Sequence, residues 1–354
     1  MLTKQKRFAE LHPDTFFLTS DQPQELENFL KQQGWLAADE EVLLVEKPGE
    51  GNMNYVLRVK TNRQSLIIKQ SRPWVEKYSQ IEAPIGRIIV EAQFYDVLSE
   101  VPALSRYIPA LKGFRAESFV MLVEDLGEAS DFTKCYLKGE TLSETELSHL
   151  IQFLSALHRL DVRAFREPFP DNLALRKLNA EHIFTYPYLA DNGLDLDTIQ
   201  EGLQALSAAY RQDQELKAEI DRLEEVYLSE GSTLLHGDYY PGSWLRTAQG
   251  TRIIDPEFSF VGFAEFDLGV MVAHLLMAQL DESLMRTSLA QYEPAAGFDH
   301  ALFAGFCGAE VIRRLIGLAQ LPLDLTLPER AALLQQAVIF VKTPASNPYF
   351  NPGF

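Results

Sequence analysis

Apolar and polar positions follow a β-type rhythm early in the chain and a helical rhythm over most of the rest. Between Glu41 and Gln70 the sequence EVLLVEKPGEGNMNYVLRVKTNRQSLIIKQ holds short β-rich runs, broken by the glycines that flank Glu50 and by a turn at Thr61-Asn62. That spacing predicts an antiparallel meander. From Arg87 to Leu98, residues Ile88, Glu91, Ala92, Tyr95 and Leu98 recur at helical spacing, so Glu91 is expected on the inward face among apolar companions. A carboxylate placed there requires a cation. Residues 119–126, FVMLVEDL, read as a buried strand that ends in acids and leads to Gly127, a natural exit from a first lobe.

Beyond Gly127, Ser143 and Glu146 form the signature of a capping box, opening a helix with Leu147, Leu150, Ile151, Leu154 and Leu157 on one face. Residues 165–230 are helical in pattern, are interrupted by Pro168, Pro170 and Pro187, and hold no recognisable motif. Two apolar runs, TLLHGD and TRIIDPEF, bracket a turn-rich stretch containing Pro241, Gly242 and Gly250. They predict a strand–loop–strand hairpin with carboxylates at its open end. A helix is expected over Phe303 to Leu318, and the closing TPASNPYFNPGF is unsuited to helix. A chain of 354 residues exceeds what one core usually holds, so the expectation is an α+β protein of two lobes sharing a cleft. The N-terminal lobe would span 1–126 and the larger, mainly helical lobe 127–354.

Charge narrows the partners. The formal net charge is −18 and no run of Lys or Arg is long enough to track a nucleic-acid backbone, which argues against DNA and RNA. The same charge repels nucleotides at long range, so a nucleotide site here must depend on a bound metal and a few well-placed cations. No stretch approaches the roughly 20 uninterrupted apolar residues of a membrane span. The N-terminal MLTKQKRFAELHPD lacks the charged, apolar and small-residue succession of a secretion signal, so a cytoplasmic location is expected. Cys135 and Cys307 have neither metal-type spacing nor disulfide density, and reduced structural thiols are expected.

The chemistry concentrates at the second lobe's apolar runs. His236-Gly237-Asp238 ends one of them, where glycine permits the tight backbone that projects an acid. Ser243 follows Asp238 by five residues, and Asp255 and Glu257 follow the next run, an oxygen-rich set suited to a hard cation such as Mg²⁺. Pro256 is expected to hold the two acids in a stiff extended relation. Each residue also has a plainer reading. Gly49 and Gly51 would serve an ordinary hairpin, His236 suits a hydrogen bond to the loop backbone, and Asp267 suits an N-cap or a buried acceptor supporting the loop. Arg313 and Arg314 lie about 100° apart on their helix, and one of them can simply pair with Glu310.

The HGD motif resembles the catalytic loop of aminoglycoside phosphotransferases and choline kinases, whose fold is protein kinase-like. Those families carry Asn where Ser243 stands. HGDYYPGS, IIDPEFSFVGFAEFDLG and GAEVIRRLIGLAQ together are similar to the pattern of the methylthioribose kinase family, and so is the upstream GEGNMNYVLRV, which looks like that family's nucleotide loop. The resemblance implies ATP and Mg²⁺ as cofactors and a cytoplasmic transferase. It implies Asp238 as the catalytic carboxylate and Asp255 and Glu257 as metal ligands. Gly49, Gly51, Asn52, Asn54, Lys69, Glu91 and Ser243 would bind the nucleotide, with Lys69 on the α- and β-phosphates and Glu91 as its ion-pair partner, while Ser243 would lie near metal or substrate. Arg313 and Arg314 match a pair bordering the sugar site. Two departures bear on the substrate. KYSQIEAPIGRIIVE is shorter than the family's Trp-bearing loop, leaving Trp74 and Tyr78 as the nearest aromatics, and Tyr239 and Tyr240 replace a Leu-His pair. Both tyrosines would then stand beside the substrate.

The expected activity is transfer of phosphate from ATP to a hydroxyl of methylthioribose or a related 5-substituted ribose, and the assembly leaves a homodimer open. The alternatives are a kinase of the same fold for choline, homoserine or an aminoglycoside, in which Tyr239 and Tyr240 would offer cation–π faces, and a nucleotide-binding regulator without turnover.

Overall fold

The β-rich runs of the first 129 residues pair into one antiparallel sheet. Its strands are β1 (Val42–Glu46), β2 (Tyr55–Thr61), β3 (Ser65–Gln70), β4 (Leu111–Arg115) and β5 (Val120–Glu124). They lie in the order β1-β2-β3-β5-β4. The computed structural model describes residues 3–49 and 53–344, and the chain divides into two units between Ala129 and Ser130.

In the first unit the register sets the function of each face. Leu57 pairs with Ile68 and Ile68 with Leu122, and these side chains share a buried core with Leu26 and Leu30 of the Pro23–Gln32 helix. Each such fully buried aliphatic side chain contributes about 1.5–3 kcal/mol. Because side chains alternate along a strand, Lys69 points to the opposite face from Ile68. Its neighbours there are Val56 and Met121. A one-residue slip would put lysine in the core. The Arg87–Ser99 helix buries Ile88, Val90, Glu91, Ala92, Tyr95 and Leu98. The loop between β3 and that helix is tied by two buried arginines absent from the sequence reading. Arg87 donates to the carbonyls of Arg72, Pro84 and Met53, each at 2.8 Å. Arg72 lies over the rings of Phe17 and Tyr55, at 4.2 and 4.1 Å.

The second unit is mainly helical. Its Glu144–His158 helix starts with the expected capping box, Ser143 and Glu146 bonding reciprocally. The expected hairpin of the two apolar runs does not form. Instead β7 (Thr233–Leu235) pairs with β10 (Phe260–Gly262), while β9 (Gly250–Ile253) pairs with β8 (Trp244–Thr247), which also pairs with β6 (Ser130–Asp131). The segment between the runs thus supplies its own strand. The Ala264–Met277 helix packs on the His300–Ile316 helix, which packs in turn on Leu327–Lys342. The helix expected over Phe303 to Leu318 starts earlier because Asp299 accepts from Ala301 and Leu302 N–H as N-cap. Residues 165–230 hold the Leu173–Ala180, Leu203–Gln212 and Gln214–Leu228 helices, the first running on through a π-turn at Glu181–Thr185.

Cys135 and Cys307 are buried and unbonded, and burial pushes the Cys135 thiol up to about 12. Among the described residues no helix is long and apolar enough to cross a membrane. Most of the closing segment, residues 345–354, lies outside the described residues.

Candidate active site

In the first unit the β3 register aims Lys69 at the Arg87–Ser99 helix, where its Nζ donates to Glu91 Oε1 at 2.6 Å. The lysine side chain is 7% exposed and the glutamate 0%. Asn54 Nδ2 approaches the other glutamate oxygen at 3.5 Å, so Asn54 also braces Glu91. This is the ion pair that the inward position of Glu91 called for, and pairing lets the ammonium stay charged despite burial. Gly49 is exposed, and a Cβ there would meet nothing within 4 Å. Gly51 and Asn52 lie outside the described residues. Trp74 is buried inside this unit with Arg7 over its ring at 4.9 Å, whereas Tyr78 is exposed.

In the second unit the loop after β7 is held from beneath. Asp267, on the first turn of the Ala264–Met277 helix, accepts from His236 N–H at 2.6 Å and from Gly237 N–H at 2.9 Å. It is a buried acceptor for the loop and not an N-cap, which is Phe263. Gly237 has φ +83°, and a Cβ there would lie 2.1 Å from the Phe258 carbonyl oxygen, so no other residue fits. The ring of His236 bonds to backbone groups. Asp238 N–H donates to Nδ1 at 3.3 Å, which leaves Nε2–H to donate to the Ile254 carbonyl at 3.0 Å. Burial lowers the His236 pKa.

Asp238 itself keeps 24% of its side-chain surface exposed. Burial raises its pKa, and Arg314 and Arg313 pull it back. Arg314 Nη2 lies 3.7 Å from Asp238 Oδ1, and its Cζ lies 5.0 Å from the Tyr240 ring centroid. Both arginines are also bound to Glu310: Arg314 Nε donates to Oε1 at 2.6 Å and Arg313 Nη1 to Oε2 at 3.0 Å. Burial would raise the Glu310 pKa, but the two guanidinium groups and His274 outweigh it and hold the carboxylate well below its usual range.

Two expectations are corrected here, and Ser243 is given its place in the loop. Tyr239 is fully buried, stacks on Phe153 at 5.8 Å and donates its hydroxyl to the Leu150 carbonyl at 2.9 Å. It belongs to the core, and Tyr240 is the tyrosine beside Asp238 and Arg314. Ser243 is buried, with Oγ donating to the Asp238 carbonyl at 2.9 Å, so it ties the loop together. Asp255 and Glu257 are not in an extended relation. Asp255 adopts φ +59°, ψ +49°, and residues Pro256–Phe258 form a 3₁₀ turn. Asp255 lies close enough to His236 and Tyr240 for its charge to act on both. Glu257 is 7% exposed. Among the described residues no three His, Cys, Asp or Glu side chains are grouped so that they could hold a metal alone. The sequence reading missed Tyr136, His274 and Asn179, which complete the surroundings of the arginine pair.

Residues 45–306 match the family described as "Phosphotransferase enzyme family". The chain belongs to that family. This phosphotransferase is an ATP-dependent enzyme with a small-molecule hydroxyl as acceptor. It is similar to the methylthioribose kinase of Exiguobacterium sibiricum, with 28% identity over 79% of this chain and 81% of that protein. It is also similar to the methylthioribose kinase of Bacillus velezensis, with 27% identity over 77% of each. In fold the phosphotransferase resembles the choline kinase from Cryptosporidium parvum, with TM-score 0.54, 16% identity, and 93% and 99% of the two chains covered. LicA in complex with AMP has TM-score 0.50 and 18% identity, with 91% and 99% covered. The bilobal α+β kinase-like fold expected from the sequence is thus present.

Proposed function

We propose that the enzyme phosphorylates the anomeric 1-hydroxyl of a 5-substituted ribose, methylthioribose or a close relative. The observation that carries this reading is the Arg313–Arg314 pair held by Glu310 beside Asp238. Forked guanidinium donors suit an uncharged polyol. They repel a cation, and the Tyr240 face that choline would need already carries Arg314. The relatives named methylthioribose kinase agree with this choice.

Asp238 accepts the proton of the attacking hydroxyl. The hydroxyl oxygen bonds to the γ-phosphorus, the bond from that phosphorus to the β,γ-bridging oxygen breaks, and ADP leaves. A carboxylate raised by burial is a better base than a solvated one, and the nearby Arg314 and Arg313 favour its charged form against that burial. Lys69, fixed by Glu91, contacts the α- and β-phosphates. Asp255 and Glu257 would hold Mg²⁺. Their fit rests on the all-carboxylate donor set and on Asp255 in a left-handed conformation, a cost that the surrounding structure maintains. Two protein carboxylates suit Mg²⁺, which takes its other oxygens from water and phosphate. Bound Mg²⁺ supplies charge neutralisation of the phosphates, which a protein of net charge −18 needs.

The test is competition of methylthioribose, ribose, choline and homoserine at equal concentration with ATP and Mg²⁺, read by mass spectrometry. A phosphorylated ribose product is expected, and turnover of choline or homoserine with neither ribose overturns the sugar reading. Asp238→Asn is expected to lower kcat by about 10²–10⁴-fold, and turnover near wild type would remove Asp238 from its role.

A further inference from the structure

Tyr136, His274 and Glu310 come from three separate elements of the second unit, the Thr133–Tyr136 turn, the Ala264–Met277 helix and the His300–Ile316 helix. They meet in one chain that ends at Asp238. The Tyr136 hydroxyl lies 2.6 Å from His274 Nδ1, and His274 Nε2 lies 3.0 Å from Glu310 Oε1. All three side chains are buried, at 3%, 0% and 1% exposure. An ionised carboxylate only accepts, so His274 donates from Nε2 and its Nδ1 accepts from Tyr136. One tautomer of a neutral imidazole is thereby fixed.

The far end of the chain limits what Arg314 can do. Glu310 Oε1 takes Arg314 through Nε, and Oε2 takes Arg313. Arg313 is anchored further by Asn179, whose Oδ1 accepts from Nη2 at 3.2 Å. Tied through Nε, Arg314 cannot turn its fork broadside onto Asp238. Its Nη2 stops 3.7 Å from Oδ1, inside ion-pair range and beyond a hydrogen bond. A bidentate arginine–carboxylate pair is among the strongest side-chain interactions, and it would occupy the oxygens that a substrate hydroxyl needs.

We propose that Tyr136, His274 and Glu310 are positioning residues that hold Arg314 at a set distance from Asp238, leaving the carboxylate available to the substrate hydroxyl. The inference rests on the reading of Asp238 as the carboxylate that receives the acceptor proton.

A double-mutant cycle tests it. His274→Leu removes the donor to Glu310 and lowers kcat by up to about 100-fold, the cost of roughly 1 Å misplacement, with KM for ATP unchanged. His274→Gln keeps a donor for Glu310 and recovers most of the loss. Tyr136→Phe, which deletes one hydroxyl, lowers kcat by about fivefold to tenfold, the equivalent of one lost hydrogen bond. In an Arg314→Ala background His274→Leu and Tyr136→Phe each cost much less than they do alone, because the chain acts on kcat mainly through Arg314, with only the remainder passing through Arg313 on the other Glu310 oxygen. A purely structural role predicts losses that multiply. Multiplied losses, or kcat unchanged in both single variants, overturn the proposal. If His274→Leu does not fold, the cycle of Tyr136→Phe with Arg314→Ala decides alone. Asp238→Asn measured alongside separates the two levels: near-normal turnover there defeats the underlying reading, whereas an inactive Asp238→Asn with a multiplicative cycle defeats only the positioning role.

Discussion

Removing the Asp267 carboxylate is expected to damage the enzyme more than its distance from the reacting hydroxyl suggests. Its two oxygens accept the backbone N–H groups of His236 and Gly237 at 2.6 and 2.9 Å, and Asp267 is 0% exposed. Asp267→Ala leaves two buried backbone donors unpaired, each costing about 1–3 kcal/mol, so a loss of about 2–6 kcal/mol is expected from them, and the longer 3.4 Å contact from His158 Nε2 is lost besides. That is a large share of the roughly 5–15 kcal/mol that holds a domain folded. Water entering the vacated space would offset part of it. Asp267→Asn fills the space and admits no water, but turns an NH₂ donor toward one of the two amides. Its cost therefore falls between wild type and the full alanine loss. Urea unfolding gives both stabilities, and kcat with ATP and acceptor reports whether the loop still presents Asp238. Both variants should lose kcat at temperatures where they remain folded. If both unfold at the wild-type urea midpoint and keep kcat, Asp267 does not brace the loop and the argument fails.

Gly237→Ala should cost at least the 1–2 kcal/mol of a left-handed β-carbon and also abolish turnover, because relief of its clash with the Phe258 carbonyl must displace the next residue, Asp238; a soluble variant with wild-type kcat would refute this, as read by thermal melting and steady-state kinetics. Burial pushes His274 down to about 4, against about 6.5 in the unfolded chain, so the unfolded state binds the extra proton and stability falls as pH drops from about 6.5 to about 4, by about 3 kcal/mol from this group. Urea midpoints at pH 7 and pH 4.5 should therefore differ less in His274→Gln than in wild type, and an equal difference would show that His274 does not titrate this way.

Features encoded by neighbours in sequence were legible. The Ser143–Glu146 capping box needs only three residues of separation, and Glu91 was assigned inward from helical spacing alone. Glu310 with Arg313 and Arg314 is likewise a spacing of three and four on one helix, though the sequence suggested one arginine paired and not both. Non-local choices were not legible. TLL pairs with FVG more than twenty residues on and GTRI with WLRT, and nothing in an apolar run says which other run it will join. Tyr239 and Tyr240 part ways for a related reason. Adjacent residues leave an irregular loop in directions that no periodicity fixes, so one enters the core and the other faces Arg314. Asp255 was placed correctly after its strand, but its left-handed backbone ahead of proline runs against the extended preference of pre-proline residues.

One signal did lie in the sequence unread. Asp267 and His274 are seven residues apart on the Ala264–Met277 helix, close to two full turns, so they share a face. Each is one link in a chain of the same chemistry. Tyr292 lies 2.8 Å from His158 Nδ1, and His158 Nε2 lies 3.4 Å from Asp267, which holds the loop amides. Tyr136 bonds His274 Nδ1, and His274 Nε2 bonds Glu310, which holds the arginines. In both chains the carboxylate can only accept, so the tyrosine hydroxyl fixes the tautomer that lets histidine donate. One chain fixes the backbone from which Asp238 projects, and the other fixes the cation that faces its carboxylate. Because both run through a single helix, the position of the Asp238 backbone and the distance to Arg314 are set by the same rigid body. A substitution that shifts that helix would change the two together, whereas one in either tyrosine changes only one.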